Sequence, residues 1–289
     1  VRVFLTGAAS HLARALLPGL LASPGITSVT GFDRRPCAYP HPAYIPLRGD
    51  VRTANWPALL ERQDALIHLA FVVLRGHLPE TQMRAINVDA SQALFSAAAA
   101  MPRVIHLSSA SIYGQGEHLD ENAPGAPLPG FLYAAHKAEL EAWLTRHHPR
   151  VVRLRPHVIL GPHSQPLLRN LARSPFYPAL PVPPHYQAVH EHDVADAILA
   201  ALQRDAAQGP YNLAHAETFT LQSLARRRWG RLATPVPTAL LKAGFGLLHA
   251  TLGIGGERAW LDGLNASLTL DCRKATRELD WQARRQPLG

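Results

Sequence analysis

Short apolar runs recur through the first half of the chain, and most are followed by a longer stretch with helical spacing. Residues 1–5 form such a run, followed by a turn of small residues at 6–13. Apolar positions then fall at helical intervals through Leu21 and stop near Pro24 and Gly25. A second run, 26–33, ends in an acid, Asp33. Two more strands are expected at 44–47 and 65–69, around a helix over 56–62. A long helical pattern covers 78–100, with Asn87 inside it, and leads to a strand at 104–107. The Pro-rich loop 121–130 then delivers the chain to a helix over 131–147 and a buried strand at 151–154. Strands alternating with helices at this rhythm predict an α/β fold, a doubly wound parallel sheet of the Rossmann type.

The rhythm breaks after residue 157. Residues 172–187 contain Pro175, Pro178, Pro181, Pro183 and Pro184, too many for a core strand, and are expected to form a lid or substrate loop. Residues 189–193 lead into a helix near 194–204, with Asp193 expected as its N-cap. Tyr211-Asn212-Leu213 follows, then a helix near 219–228. The apolar stretch 239–254, with Lys242 and His249, is shorter than a membrane span and is expected to be a buried cap helix or a subunit contact. Residues 1–157 and 188–214 are therefore assigned to a dinucleotide-binding domain, and 158–187 and 215–289 to a smaller substrate-binding cap.

Composition narrows the function. A chain of 289 residues can bury a full core. Its opening residues have no signal-peptide anatomy, and Cys37 and Cys272 are too few for a disulfide scaffold, so a cytoplasmic protein is expected. The formal net charge of +8 is carried almost entirely by arginine, with clusters at Arg226-Arg227-Arg228 and in the tail at Arg273, Lys274, Arg277, Arg284 and Arg285. No interleaved aromatics or nucleic-acid module accompany them, so no nucleic-acid partner and no membrane partner are expected. Attraction of an anionic substrate or cofactor explains the sign equally well.

Candidate chemistry centres on Tyr133-Ala-Ala-His-Lys137. On a helix this spacing sets phenol and ammonium on one face, one turn apart. A nearby positive charge would lower the tyrosine pKa and fit it to exchange a proton with an alcohol or ketone. Upstream, the turn keeps Gly7, with Ser10 and Ala13 at the two later positions of a glycine-rich turn. Strand, small-residue turn and helix together present backbone N–H groups to a pyrophosphate, and Asp33 lies where a carboxylate would meet ribose hydroxyls. His190-Glu191-His192-Asp193 has alternating histidines but no evident third ligand, so no metal site is expected.

In their joint order these motifs resemble the extended short-chain dehydrogenase/reductase family, in its epimerase/dehydratase branch, over nearly the whole chain. Thr6-Gly7-x-x-Ser10-x-x-Ala13 is similar to that family's glycine-rich turn, and Gly49-Asp50-Val51 to its adenine-binding segment. Asn87-Val88 is similar to its central-helix motif, and Ser109, four residues before Tyr113-Gly114, to its catalytic Ser/Thr. Val189-His190-x-x-Asp193 and Tyr211-Asn212 resemble its later landmarks. The resemblance implies Tyr133 as acid/base, with Lys137 lowering its pKa and holding the nicotinamide ribose. Ser109 would hydrogen-bond the reacting oxygen. It also implies a dinucleotide held by Gly7, Ala9, Ser10, His11, Leu12, Asp33, Arg34, Asp50, Val51, Leu69, Ala70, Asn87, Leu107, Tyr133, Lys137, Pro156 and Val158.

Asp33 favours NAD, whereas Arg34 and Arg35 could attract the extra phosphate of NADP; NAD is expected. The resemblance further implies a homodimer through the helices near 78–100 and 131–147. Ala110-Ser111 stand where similar dehydratases carry an acidic pair, which argues against a dehydratase. Val158 and Tyr186 replace an asparagine and an arginine that similar sugar-nucleotide enzymes carry. A simpler alcohol or ketone is therefore expected as substrate, with a sugar nucleotide left open. The competing reading is a catalytically inactive dinucleotide-binding or redox-sensing protein on the same fold.

Overall fold

A computed structural model of the protein describes residues 1–164, 169–170, 172–241, 243–244 and 262–287. The main-sheet strands are β1 (Arg2–Thr6), β2 (Ser28–Asp33), β3 (Tyr44–Arg48), β4 (Ala65–His68) and β5 (Arg103–Leu107), with β7 (Val152–Pro156) and β11 (Pro210–Leu213). They form one seven-stranded sheet in the order β11-β7-β5-β4-β1-β2-β3, parallel throughout. A parallel sheet covered on both faces needs near-continuous apolar strands, and β1 and β4 supply them. The expected doubly wound sheet is present.

Three short parallel pairs lie outside that sheet: β6 (Gly116–Leu119) with β13 (Leu268–Leu270), β8 (Val158–Leu160) with β10 (Ala188–His190), and β9 (Phe176–Pro178) with β12 (Thr234–Val236). The Pro-rich segment contributes no strand to the main sheet, only the short β9 of a separate pair. A strand in a two-stranded pair is always an edge, where the missing N–H of Pro178 can be tolerated. Residues 242 and 245–261, and with them most of the apolar stretch expected as a cap helix, lie outside the described residues.

Helices cover both faces of the sheet. On one side pack α1 (His11–Ala22), a helix over Glu191–Gln203 and the tail helix Arg273–Leu279; on the other pack Trp56–Leu60, Ala90–Ala97 and Leu132–His147. The pattern over 78–100 is not one regular helix. A π-helical turn, Ala85–Asp89, separates Glu80–Arg84 from Ala90–Ala97 and carries Asn87 inward. The helix after β10 begins at Glu191, and its N-cap is His190, whose Nδ1 accepts from His192 N–H. Asp193 is therefore not the cap. Its buried carboxylate accepts from the N–H groups of Arg284 and Arg285 and from the Arg285 guanidinium at 2.6 Å, while Trp281 donates to its carbonyl. The tail is thereby bound to the sheet unit. Among the described residues no helix is long and apolar enough to cross a membrane.

A polar seam runs through the core at the carboxyl ends of β4 and β5. His68 bonds Thr6 and Ser91 and stacks on His106 at 5.4 Å. His106 has no hydrogen-bond partner on either ring nitrogen among the described residues. Burial holds His68 down to about 3 and His157 to about 4, and pushes His106 well below the ordinary histidine value. Between the unfolded value near 6.5 and these depressed values, the unfolded chain binds protons that the folded chain refuses. Stability is therefore full above about pH 6.5 and falls as pH drops toward 4, visible as a falling Tm in thermal unfolding. The substitution His106→Phe should flatten that slope. It should also raise stability at neutral pH by about 1 kcal/mol, because it removes an unpaired buried polar group.

Candidate active site

The strand order reverses between β1 and β4, and in doubly wound sheets the crevice outside the carboxyl ends at such a point takes the ligand. A cavity of about 660 Å³ opens there. Its wall is built from segments at or after the ends of four strands: residues 10–12 after β1, 69 and 71–74 after β4, 107–111 from the end of β5, and 156–159 from the end of β7. Gly7 makes the geometry possible. Its φ is +71°, and a Cβ there would lie 2.6 Å from Ala70 N, so the β1 turn can meet the end of β4 only without a side chain.

Tyr133 and Ser109 face each other on this wall. The Leu132–His147 helix presents Tyr133 in its first turn, and the end of β5 presents Ser109 as the cap of a short 3-10 turn. Ser109 Oγ accepts from the Ser111 N–H at 3.1 Å and from the Ser111 hydroxyl at 2.9 Å. Its own proton is left for the Tyr133 oxygen, to which it is hydrogen-bonded. Lys137 sits one turn further along and behind the wall. Its ammonium donates to the Leu107 carbonyl, lies 3.5 Å from the centre of the Phe71 ring, and is 5.9 Å from that of Tyr133.

The expected lowering of the tyrosine pKa is not found. Burial pushes Tyr133 up to about 12, and the Ser109 hydrogen bond offsets only part of that. Burial also drives Lys137 well below its ordinary value, with Glu141 opposing. Both groups are shifted toward their neutral forms, because a crevice of Phe71, Phe131 and aliphatic side chains solvates neither charge.

The dinucleotide candidates divide into three sets. Ser10, His11, Leu12, Leu69, Leu107, Pro156 and Val158 line the cavity with Ser109 and Tyr133. Gly7, Ala9 and Ala70 shape the turn behind it, and Asp33 Oδ2 accepts from Ala9 N–H at 3.0 Å. Ser10 caps α1 by accepting from Ala13 N–H, so the N–H groups of His11 and Leu12 have no acceptor among the described residues. That leaves two donors at a helix N-terminus aimed at the crevice, which suits a pyrophosphate.

Arg34, Asp50, Val51 and Asn87 are not on the wall. Asp50 is paired to Arg52 at 2.6 Å, which holds its pKa down to about 2, and Val51 packs in the core. Asn87 uses its amide on the backbone of Val72, at 2.7 and 3.0 Å, and so braces the cavity loop from behind. Arg35 takes the place expected of Arg34, held against the Ala9 carbonyl and Asp33.

Ser111 and Tyr186, compared above with substrate-site positions of similar enzymes, are on the wall, and so are three residues that were not anticipated there: His157, Ser164 and Glu191. Glu191 is buried and accepts from both the N–H and the ring of His163, so the acid of the His-Glu-His-Asp run had a partner outside the motif. Among the described residues no three metal-ligating side chains converge. Beneath the wall, Glu141 accepts from Ser108 and from Arg155, and Arg155 donates to Tyr113 at 2.6 Å. Tyr113 in turn donates to Asn212 at 2.8 Å. Arg155 is thus committed inside the protein.

The NAD dependent epimerase/dehydratase family model matches residues 3–214. No curated protein matches the chain. Among solved structures, MoeE5 in complex with UDP-glucose and NAD is similar at 23% identity and a TM-score of 0.74, covering 100% of this chain and 95% of that one. UDP-glucuronic acid 4-epimerase from Bacillus cereus with NAD is 17% identical at a TM-score of 0.74, with 100% and 95% covered. UDP-glucose 4-epimerase from Thermotoga maritima with UDP-glucose is 16% identical at 0.76, with 100% and 96% covered. At these identities the likeness is one of fold.

Removing the carboxylate beneath the wall should be costly. Glu141→Gln leaves the buried charges of Arg153 and Arg155 without their counter-ion and is expected to destabilise the protein by about 3 kcal/mol in denaturant unfolding. The double change Glu141→Leu with Arg155→Met should recover part of that loss.

Proposed function

The chain belongs to the NAD dependent epimerase/dehydratase family, and on that premise we propose that it is an NAD-dependent oxidoreductase or epimerase acting on a secondary alcohol or its ketone. The observation that carries this reading is the Ser109–Tyr133 hydrogen bond facing the crevice at the β1/β4 reversal, with Lys137 one turn behind. A nicotinamide bound there would supply the acceptor or donor of a hydride. The donors His11 and Leu12 at the start of α1 would hold the pyrophosphate, and Asp33 the adenosine ribose.

In reduction, Tyr133 gives its phenolic proton to the carbonyl oxygen as the carbon gains the hydride, and Ser109 donates a hydrogen bond to the developing alkoxide. In oxidation both steps reverse: Tyr133, having first released its phenolic proton to solvent, takes the hydroxyl proton as the C–H hydrogen leaves with its electron pair. The net change would be alcohol to ketone, with one hydride to a bound cofactor and one proton to solvent. Epimerisation would run the two directions in succession on opposite faces of one keto intermediate. The buried, protonated Tyr133 favours the role of acid. The sheet unit with its bound tail, residues 273–287, would hold the cofactor, and the short strand pairs around 172–187 and 215–236 would cover the substrate. A homodimer through the helices over 80–97 and 132–147 belongs to the same proposal on family resemblance.

Tyr133→Phe is expected to lower kcat for ketone reduction by at least about a hundredfold while leaving NADH binding, followed by nicotinamide fluorescence, unchanged. Activity that survives the substitution would favour the non-catalytic binding protein. Because the phenol must stay protonated to act as acid, kcat/KM for reduction should be level through neutral pH. It should fall only as pH climbs toward the raised phenol value. NADH should bind more tightly than NADPH, since the Asp33 carboxylate would repel a ribose phosphate and Arg35 is already engaged by Asp33 and Ala9. Tighter NADPH binding in the same titration would reverse that assignment.

A further inference from the structure

The α1 end of the crevice holds a second set of titratable groups, separate from Tyr133 and Ser109. His11 is the first residue of α1 and lies on the wall with Ser10, Leu12 and Arg35. Its backbone N–H is one of the two donors assigned above to a pyrophosphate, so its imidazole stands beside the place where the phosphates would rest. Charged groups act on that ring from each neighbouring element. Arg14 comes from the next turn of α1, Arg35 from the segment after β2, and Arg169 from the segment after β8; Glu191 comes from the start of the helix after β10. Arg35 is fixed against the Ala9 carbonyl and Asp33, and Arg169 donates to the Pro162 carbonyl at 2.8 Å. Glu191 is buried on the wall, its carboxylate 2.7 Å from His163 Nδ1. Partial burial, then Arg14 and Arg35, hold the His11 imidazole below its ordinary value, with Glu191 opposing. In the free protein the ring is therefore neutral at neutral pH.

We propose that the His11 side chain is a ligand of the dinucleotide's pyrophosphate and gains a proton as the cofactor binds, so that the crevice takes up a proton together with its dinucleotide. This rests on the function proposed above and adds a binding residue to it. Backbone donors hold phosphates whatever side chains accompany them, whereas a histidine among them is a donor whose charge depends on pH. Negative charge arriving beside the ring favours imidazolium, and a charge-assisted N–H···O⁻ bond is about twice as strong as a neutral one. Glu191 strengthens the argument. It is a buried acid fixed on the same wall, so a phosphate would meet its repulsion, and an imidazolium at His11 offsets both negative groups. The three arginines keep the proton off the free ring, and the incoming diphosphate reverses that balance. The proton comes from solvent, and no bond of the cofactor is made or broken. Because the bound state favours the protonated ring, binding tightens as pH falls and weakens as pH rises through neutrality.

The test titrates the full chain with NADH, by nicotinamide fluorescence from about pH 6 to about pH 8.5, in buffers free of phosphate. Calorimetry near neutral pH, in two buffers of different ionisation heat, counts the protons taken up. The expected result is uptake of a fraction of a proton, up to about one, per NADH bound. The Kd should be about tenfold larger at the alkaline end than at the acid end, the change that a rise of about one in the His11 pKa on binding produces. His11→Gln keeps the backbone N–H and a polar side chain. It should bind NADH as the unaltered chain does at the alkaline end, yet show neither the tightening at acid pH nor the proton uptake. His163→Gln, which removes the histidine bonded to Glu191, should retain both. A Kd that is level with pH, no proton uptake, or a pH slope that survives His11→Gln or vanishes in His163→Gln would overturn the inference while NADH binding still supports the proposed function. No NADH binding at any pH would overturn both.

Discussion

One buried carboxylate sets the geometry on which everything else at the crevice depends. Glu141 lies two helical turns beyond Tyr133 and accepts from Ser108, the residue before Ser109, and from Arg155 at the end of β7. A single side chain therefore fixes the helix bearing the phenol and the strand end bearing its hydroxyl partner. A buried ion pair of this kind contributes little net stability, because desolvation offsets most of the attraction. Its value is positional. With Arg155 also bound to Tyr113, and Tyr113 to Asn212 on β11, three neighbouring strands and one helix are held in register around Ser109 and Tyr133.

The same burial that holds these groups in place governs their protons. Tyr133 stays neutral, and Lys137 is pressed toward neutrality beneath Phe71. The histidines of the seam below are neutral as well. Among the described residues the crevice wall carries one arginine, Arg35, and one buried acid, Glu191.

Much of this was legible in the sequence because the signals were local and periodic. Runs such as 1–5 and 104–107 had to be buried strands, and the four-residue spacing of Tyr133 and Lys137 did place them one turn apart on a helix. What failed were inferences that require knowing the environment. Four-residue spacing gives proximity, but the sign of a pKa shift depends on what surrounds both groups, and Phe71 arrives from the segment after β4 and Leu107 from the end of β5. Asn87 matched its motif, yet the π-helical turn aims its amide at Val72 instead of the cavity. Asp193 stood where a cap belongs, and its true partners, Arg284 and Arg285, are 91 and 92 residues away. The Glu141 network was invisible for the same reason: its members carry no spacing that would single them out.

That long-range attachment of Asp193 has a consequence for how the molecule is made. During synthesis the carboxylate emerges well before residues 281–285, and until they arrive its site on the sheet unit holds an acid with no matching donors. Trp281 and the Arg285 guanidinium supply the remaining bonds, so residues 281–285 complete the hydrogen bonding of a buried group laid down far earlier in the chain.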